Sequence, residues 1–161
     1  MSEIDAGTQY VSRRGLLIGG LVIAATVGGG AWYRRQAPHY GGVSLTVSEA
    51  HESAMSGDVL LVDIRTPREW RATGVGEGAV LLDMRRDDFV AELEKAVNGQ
   101  KDAPVALICA RGVRSARMSN KLTQAGFTNV IDVPEGMLGS KDGPGWVKAG
   151  LPIEKWVESQ G

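Results

Sequence analysis

Val105-Ala106-Leu107-Ile108-Cys109-Ala110-Arg111-Gly112-Val113-Arg114-Ser115 is the stretch that decides how this chain is read. Val105 to Ile108, set off by Pro104, is an unbroken apolar run of strand length, which predicts a fully buried strand. From Val113 the pattern changes. Val113, Ala116, Met118 and Leu122 fall roughly along one helical stripe, and Gly126 stands where a C-terminal cap is expected. The single cysteine of the chain therefore sits on a strand-to-helix turn. Such a turn aims several backbone N–H groups and the positive end of a helix dipole at Cys109. Arg111 and Arg114 add full positive charge, a setting that favours the thiolate, the nucleophilic form. A lone cysteine behind an apolar strand is ordinarily inert core filling. Two arginines and a glycine among the next six residues are not what core filling needs beside it.

The same alternation extends on both sides of this turn. Val43–Val47, Val59–Asp63, Ala79–Leu82, Val105–Ile108 and Val130–Val133 read as strands. Helices are expected between them: one capped by Ser48 and ending near Gly57, one opened by Thr66-Pro67-Arg68-Glu69 as a capping box with proline at its first position, one from Asp87 through Val97, and one over 113–125. Pro134–Leu138 and the stretch near Trp146–Ala149 read as short helices. Strands alternating with helices imply an α/β fold, a mostly parallel five-stranded sheet with helices on both faces. Ligands in such sheets bind beyond the C-terminal strand ends, where Asp63, Arg65 and Cys109 all stand.

The loop from Cys109 resembles the active-site loop of the rhodanese family of sulfurtransferases: a cysteine, a glycine fourth in the loop, an arginine sixth, then serine or threonine, here Cys109, Gly112, Arg114 and Ser115. Val62-Asp63-Ile64-Arg65-Thr66-Pro67-Arg68-Glu69-Trp70 is similar to that family's upstream signature. Gly136-Met137 through Trp146, followed by Gly150-Leu151-Pro152, is similar to its C-terminal one. The resemblance covers most of residues 43–157. It departs at Gly74-Val75-Gly76-Glu77-Gly78-Ala79, where the family usually carries a histidine, so no role of that histidine transfers.

The resemblance implies sulfur transfer. A Cys109 thiolate would attack the outer sulfur of a small donor such as thiosulfate and carry it as a persulfide to cyanide, a thiol or a protein acceptor. Ala110, Arg111, Gly112, Val113, Arg114 and Ser115 would bind the donor, their backbone amides stabilising the persulfide. Asp63 and Arg65 suit structural support, a carboxylate and a guanidinium tying down neighbouring loops, with direct substrate contact as the other reading. No cofactor or metal is called for. Two alternatives stay open. One is a module that relays persulfide to, or senses redox state for, a protein partner. The other is a phosphatase or arsenate reductase on the same fold, whose loop needs five residues between cysteine and arginine; here there are four, Ala110 to Val113.

The chain has 161 residues with 43% apolar and 23% charged, the size and composition of one globular domain plus an extension. One cysteine excludes an internal disulfide and, with only two histidines, makes a zinc site unexpected. Beyond residue 36 there are 14 basic and 17 acidic residues, a balance of −3 that argues against a nucleic-acid surface.

Residues 1–36 read as an export signal or membrane anchor, 37–42 as a linker and 43–161 as the domain. Ser12-Arg13-Arg14-Gly15-Leu16-Leu17 has the order of a twin-arginine signal. The 19 residues from Gly15 to Tyr33 could just cross a bilayer core of about 30 Å at about 1.5 Å per residue, so residues 15–33 are a candidate membrane contact. Arginine pairs flank the stretch at 13–14 and 34–35, which leaves its orientation undecided. The expected placement is periplasmic, or anchored and facing the periplasm, with an inner-membrane domain facing the cytoplasm as the alternative.

Overall fold

The structure is a computed structural model and describes residues 39–157. These lie within one compact unit, Ala37–Gly161. The candidate signal or anchor and its membrane contact at residues 15–33 lie outside the described residues. Among the described residues no helix is long and apolar enough to cross a membrane.

Five strands form one parallel sheet: β1 (Val43–Ser44), β2 (Leu60–Asp63), β4 (Val80–Leu81), β5 (Val105–Ile108) and β6 (Val130–Val133), in the order β1-β6-β5-β2-β4. The central strand is β5, paired over its whole length with β2 and β6, Asp63 opposite Ile108 and Ile108 opposite Val133. Four helices connect the strands: α1 (Val47–Ser56), α2 (Pro67–Thr73), α3 (Phe89–Ala96) and α4 (Val113–Gln124).

Side chains alternate across the sheet with the period of two that a strand imposes. Val62, Ile64, Val105, Leu107, Cys109 and Val130 pack with Phe89, Leu93, Met118 and Leu122 of α3 and α4 on one face. Leu61, Ala106, Ile108, Ile131 and Val133 pack with Val47 and Ala50 of α1, and with Met137 and Trp146, on the other. Both faces of β5 are thus covered, which is why its four residues are all apolar and all buried.

Several boundaries differ from the sequence reading. β1 is two residues long, and α1 is capped by Thr46 rather than Ser48. Thr46 Oγ1 accepts from Glu49 N–H while Glu49 accepts from Thr46 N–H, a complete capping box that fixes the helix start two residues earlier. The Thr66–Glu69 box forms as expected, with Pro67 in the first turn of α2. α3 begins at Phe89, two residues later than read. Pro134–Leu138 and Trp146–Gly150 are turns, not helices. At the end of α4 the Phe127 N–H reaches Leu122 C=O and the Gly126 N–H reaches Thr123 C=O, with Gly126 left-handed. A second, antiparallel pair, β3 (Val75–Gly76) with β7 (Ile153–Glu154), has no counterpart in the sequence reading. Two-residue strands are too short for alternation to register.

Candidate functional site

Cys109 follows the last residue of β5, and its side chain falls on the α3/α4 face, 1% exposed within the core cluster. Ala110 to Gly112 then turn the chain into α4. Gly112 takes a left-handed conformation at the N-cap (φ 78°, ψ −24°), and a Cβ there would come within 2.2 Å of the Pro134 carbonyl oxygen. Only glycine satisfies both demands. None of the six backbone N–H groups from Ala110 to Ser115 donates to an acceptor among the described residues. Those of Gly112 to Ser115 are the free donors that open any helix. The loop is therefore a run of unspent donors at the positive end of the α4 dipole.

The outer wall of the loop is the turn 134–138. Met137 N–H donates to Cys109 C=O (2.8 Å) and Leu138 N–H to Ala110 C=O (2.9 Å). Gly136 permits this approach, since a Cβ there would lie 2.7 Å from the Ala110 carbonyl and the Arg111 nitrogen. Buried Glu135 anchors the turn: its carboxylate accepts from Val47 N–H (3.2 Å) and Gly145 N–H (3.1 Å). The stretch resembling a C-terminal family signature is thus a brace for the cysteine loop.

Of the residues named from the sequence, Cys109, Arg114 and Ser115 are brought together. Cys109 Sγ lies 3.6 Å from Ser115 Oγ, and the Ser115 hydroxyl donates to Gly112 C=O (3.0 Å). Arg114 interacts electrostatically with the Cys109 sulfur and is also gripped by Glu69, Nη1 to Oε2 at 2.9 Å and Nη2 to Oε1. This ion pair holds the Glu69 carboxyl down at about 2. Arg111 is exposed and makes no ion pair among the described residues, which leaves its charge open to solvent. Ala110 and Val113 contribute backbone to the loop.

Asp63 and Arg65 are fully buried, and most of the guanidinium's donors are used. Nε contacts both Asp63 oxygens at 2.9 Å, and Nη2 reaches Asp63 Oδ2 (2.6 Å) and Gly74 C=O (2.8 Å). Nη1 reaches Thr73 Oγ1 at 2.7 Å. The pair ties the end of β2 to the end of α2 and leaves few donors for a substrate.

Two residues escaped the sequence reading. Glu69 reads from the sequence as a helix cap and as part of the upstream signature, and its capping carboxylate also receives Arg114 from 45 residues away. Asp132, in β6, is buried on the Cys109 face of the sheet, and its Oδ1 has no hydrogen-bond partner. A single aspartate in an otherwise apolar strand, Val130-Ile131-Asp132-Val133, was the available signal. Among the described residues no cluster of ligands could hold a metal ion.

The described residues thus form a parallel α/β sheet with its cysteine at the C-terminal end of the central strand, at the head of a loop of unspent backbone donors. Residues 46–142 match the family model of the rhodanese-like domain, and the chain belongs to that family. It is similar to YibN of Escherichia coli K12, an uncharacterized protein, at 30% identity over 110 residues that cover 68% of this chain and 70% of the relative. Among solved structures it is similar to Rv0390 of M. tuberculosis (TM-score 0.56, 29% identity, 73% of this chain, 100% of that one). It shares its fold with the polysulfide-sulfur transferase homodimer of Wolinella succinogenes (TM-score 0.56, 21% identity, 88% of this chain, 93% of that one).

Proposed function

We propose that the chain is a sulfurtransferase that accepts sulfane sulfur from thiosulfate or a related donor as a persulfide on Cys109 and passes it to a thiol, cyanide or a protein acceptor. The observation that carries this reading is the run of six unspent N–H donors, Ala110 to Ser115, in the loop that follows the thiol at the end of β5. Such a loop can stabilise an anion on the cysteine without a metal or cofactor. Arg114, held by Glu69 beside the sulfur, and exposed Arg111 suit the oxyanion end of the donor. The four residues between Cys109 and Arg114, with Cys109 only 1% exposed, favour a single sulfur over a tetrahedral phosphoryl or arsenyl group. A relay that hands persulfide to a protein partner uses the same first step.

The test is the mass of the intact protein before and after thiosulfate. One added sulfur is expected, lost on treatment with cyanide and absent in Cys109→Ser. An unmodified wild-type mass, or sulfur on the serine variant, sinks the proposal. Steady turnover with thiosulfate and cyanide separates a free-standing enzyme from a relay, and hydrolysis of an aryl phosphate would favour the phosphatase reading.

The same proposal places the domain outside the cytoplasm, delivered or anchored by residues 1–36, because paired Arg13 and Arg14 precede an uncharged stretch. Replacing both with lysine is expected to leave the protein in the cytosolic fraction. A variant still found in the periplasm would remove the twin-arginine assignment, and full-length protein retained in membranes would favour the anchor.

A further inference from the structure

Between β1, the first turn of α4 and the segment 134–142 after β6 lies an open cleft of about 390 Å³. Its walls include Ser44, Gly112, Ala116, Asp132, Lys141 and Asp142, while Cys109 and Arg114 stand outside them. The walls are pinned from several sides. Tyr40, which also lines the cleft, donates its hydroxyl to Val130 C=O at 2.6 Å, and Asn120 Nδ2 reaches His39 C=O at 3.4 Å. The Ser140 hydroxyl donates to Pro134 C=O (2.9 Å) and its oxygen accepts from Asp142 N–H (3.0 Å), which folds the segment carrying Lys141 and Asp142 back on itself. A cleft held in this way is formed before anything enters it.

Two groups on these walls have hydrogen-bonding capacity left over, and their charges are opposite. Asp132, opposite Ser44 in the strand register, is only 3% exposed, yet its Oδ1 has no hydrogen-bond partner. Leaving a buried carboxylate oxygen alone is costly, and nearly all buried polar groups are paired. Burial raises this carboxyl to about 6, with the Asp142 charge adding to the rise, so at about pH 7.5 it is ionised. Lys141 is exposed and meets Asp142 only at 3.9 Å, beyond hydrogen-bond reach, which leaves its ammonium donors unspent among the described residues.

We propose that this cleft is a binding site for a free amino acid, whose ammonium group pairs with Asp132 and whose carboxylate pairs with Lys141. An ammonium brings charge and three donors to the acid that lacks a partner. The last torsion of an aspartate is broad and two-fold, so a small turn of the carboxyl presents Oδ1 to the cleft. An amine alone would add a second positive charge beside Lys141, and an acid alone would face Asp132 and Asp142 unshielded. A molecule carrying both charges answers both walls. The volume suits one, at roughly a dozen waters of about 30 Å³ each. Among the described residues no ligand cluster could hold a metal ion, which sets a bare metal cation aside. Gly112 belongs both to this wall and to the cysteine loop, so the occupant lies beside the loop without touching the thiol. The site does not depend on the sulfurtransferase reading.

The experiment is a titration of the isotope-labelled full chain with each common amino acid in turn at about pH 7.5, followed through its amide NMR signals. At least one amino acid is expected to give saturable shifts centred on Ser44, Gly112, Ala116, Asp132, Lys141 and Asp142. The amine lacking its carboxylate and the acid lacking its ammonium, run as controls, are expected to bind at least about tenfold more weakly. Lys141→Gln is expected to weaken binding about tenfold and Asp132→Asn by more than that. No saturable shift at the cleft with any amino acid overturns the proposal. So does an amine or acid control that binds as well as the amino acid, or a pair of variants that bind like the wild type. The same amides shifting with ammonium or magnesium chloride alone, as far as with the amino acid, would mark a site for an inorganic cation and overturn it too. Should Asp132→Asn not fold, the exposed lysine variant and the two controls decide.

Discussion

Two buried aspartates stand in the C-terminal halves of two strands of the sheet, Asp63 last in β2 and Asp132 last but one in β6, and they live in opposite circumstances. Asp63 at the end of β2 is met by Arg65 through three contacts of 2.6 to 2.9 Å, and Arg65 is in turn consumed by Thr73 and Gly74. Asp132 in β6 makes no ion pair among the described residues, and its buried Oδ1 has no hydrogen-bond partner. A buried charge that is fully paired fixes loops, because every other arrangement would strand an ion in the core. One that is half-satisfied is poised to change protonation. The first carboxylate builds the edge on which the site stands; the second is a buried acid without a counter-charge.

This contrast can be broken from both sides. Replacing Arg65 with methionine strands the Asp63 charge and is expected to cost about 3–5 kcal/mol, read as a lower denaturant midpoint. An unchanged midpoint would mean that the pair is not what holds β2 to α2.

Arg114→Ala sharpens the comparison, because Arg114 is an arginine between the two circumstances, half-exposed and shared by Glu69 and the sulfur. It is expected to slow persulfide formation at low thiosulfate about a hundredfold, corresponding to about 2–3 kcal/mol of lost contact to an anion. Stability should fall by only about 0–1 kcal/mol, the usual worth of a partly exposed ion pair. A rate unchanged at low donor concentration would remove Arg114 from the donor site.

The smallest effect is expected at Asp132, and it carries a sign. Its folded carboxyl is raised from 3.8 to about 6, so the fold disfavours the ionised form. Stability on its account is full below the unfolded value and is lost as pH rises through about 6. Asp132→Asn is therefore expected to stabilise the protein by on the order of 2 kcal/mol at pH 8 and by almost nothing at pH 3.5. Equal stability changes at both pH values would show that Asp132 is not held neutral by burial.

What the sequence determined by itself is what local pattern can encode. The apolar run Val105–Ile108, the Thr66-Pro67-Arg68-Glu69 box and the Gly126 cap each specify their own element, because the partners that satisfy them lie within four residues. The parallel sheet follows from alternation, and the cysteine loop from residue spacing. Ser48 in place of Thr46 shows the limit: both are good caps, and only the Glu49 carboxylate folding back on Thr46 chooses between them. Tertiary structure alone decided the rest. Glu69 meets Arg114 from 45 positions away and Glu135 meets Val47 from 88. Asp132 comes to the Cys109 face of the sheet only because β6 pairs with β5 in this register. A carboxylate's role is set by which charge or donor faces it in a medium where an unpaired charge is costly, and that neighbour is fixed by how distant strands and helices pack, not by the residues next to it in the chain.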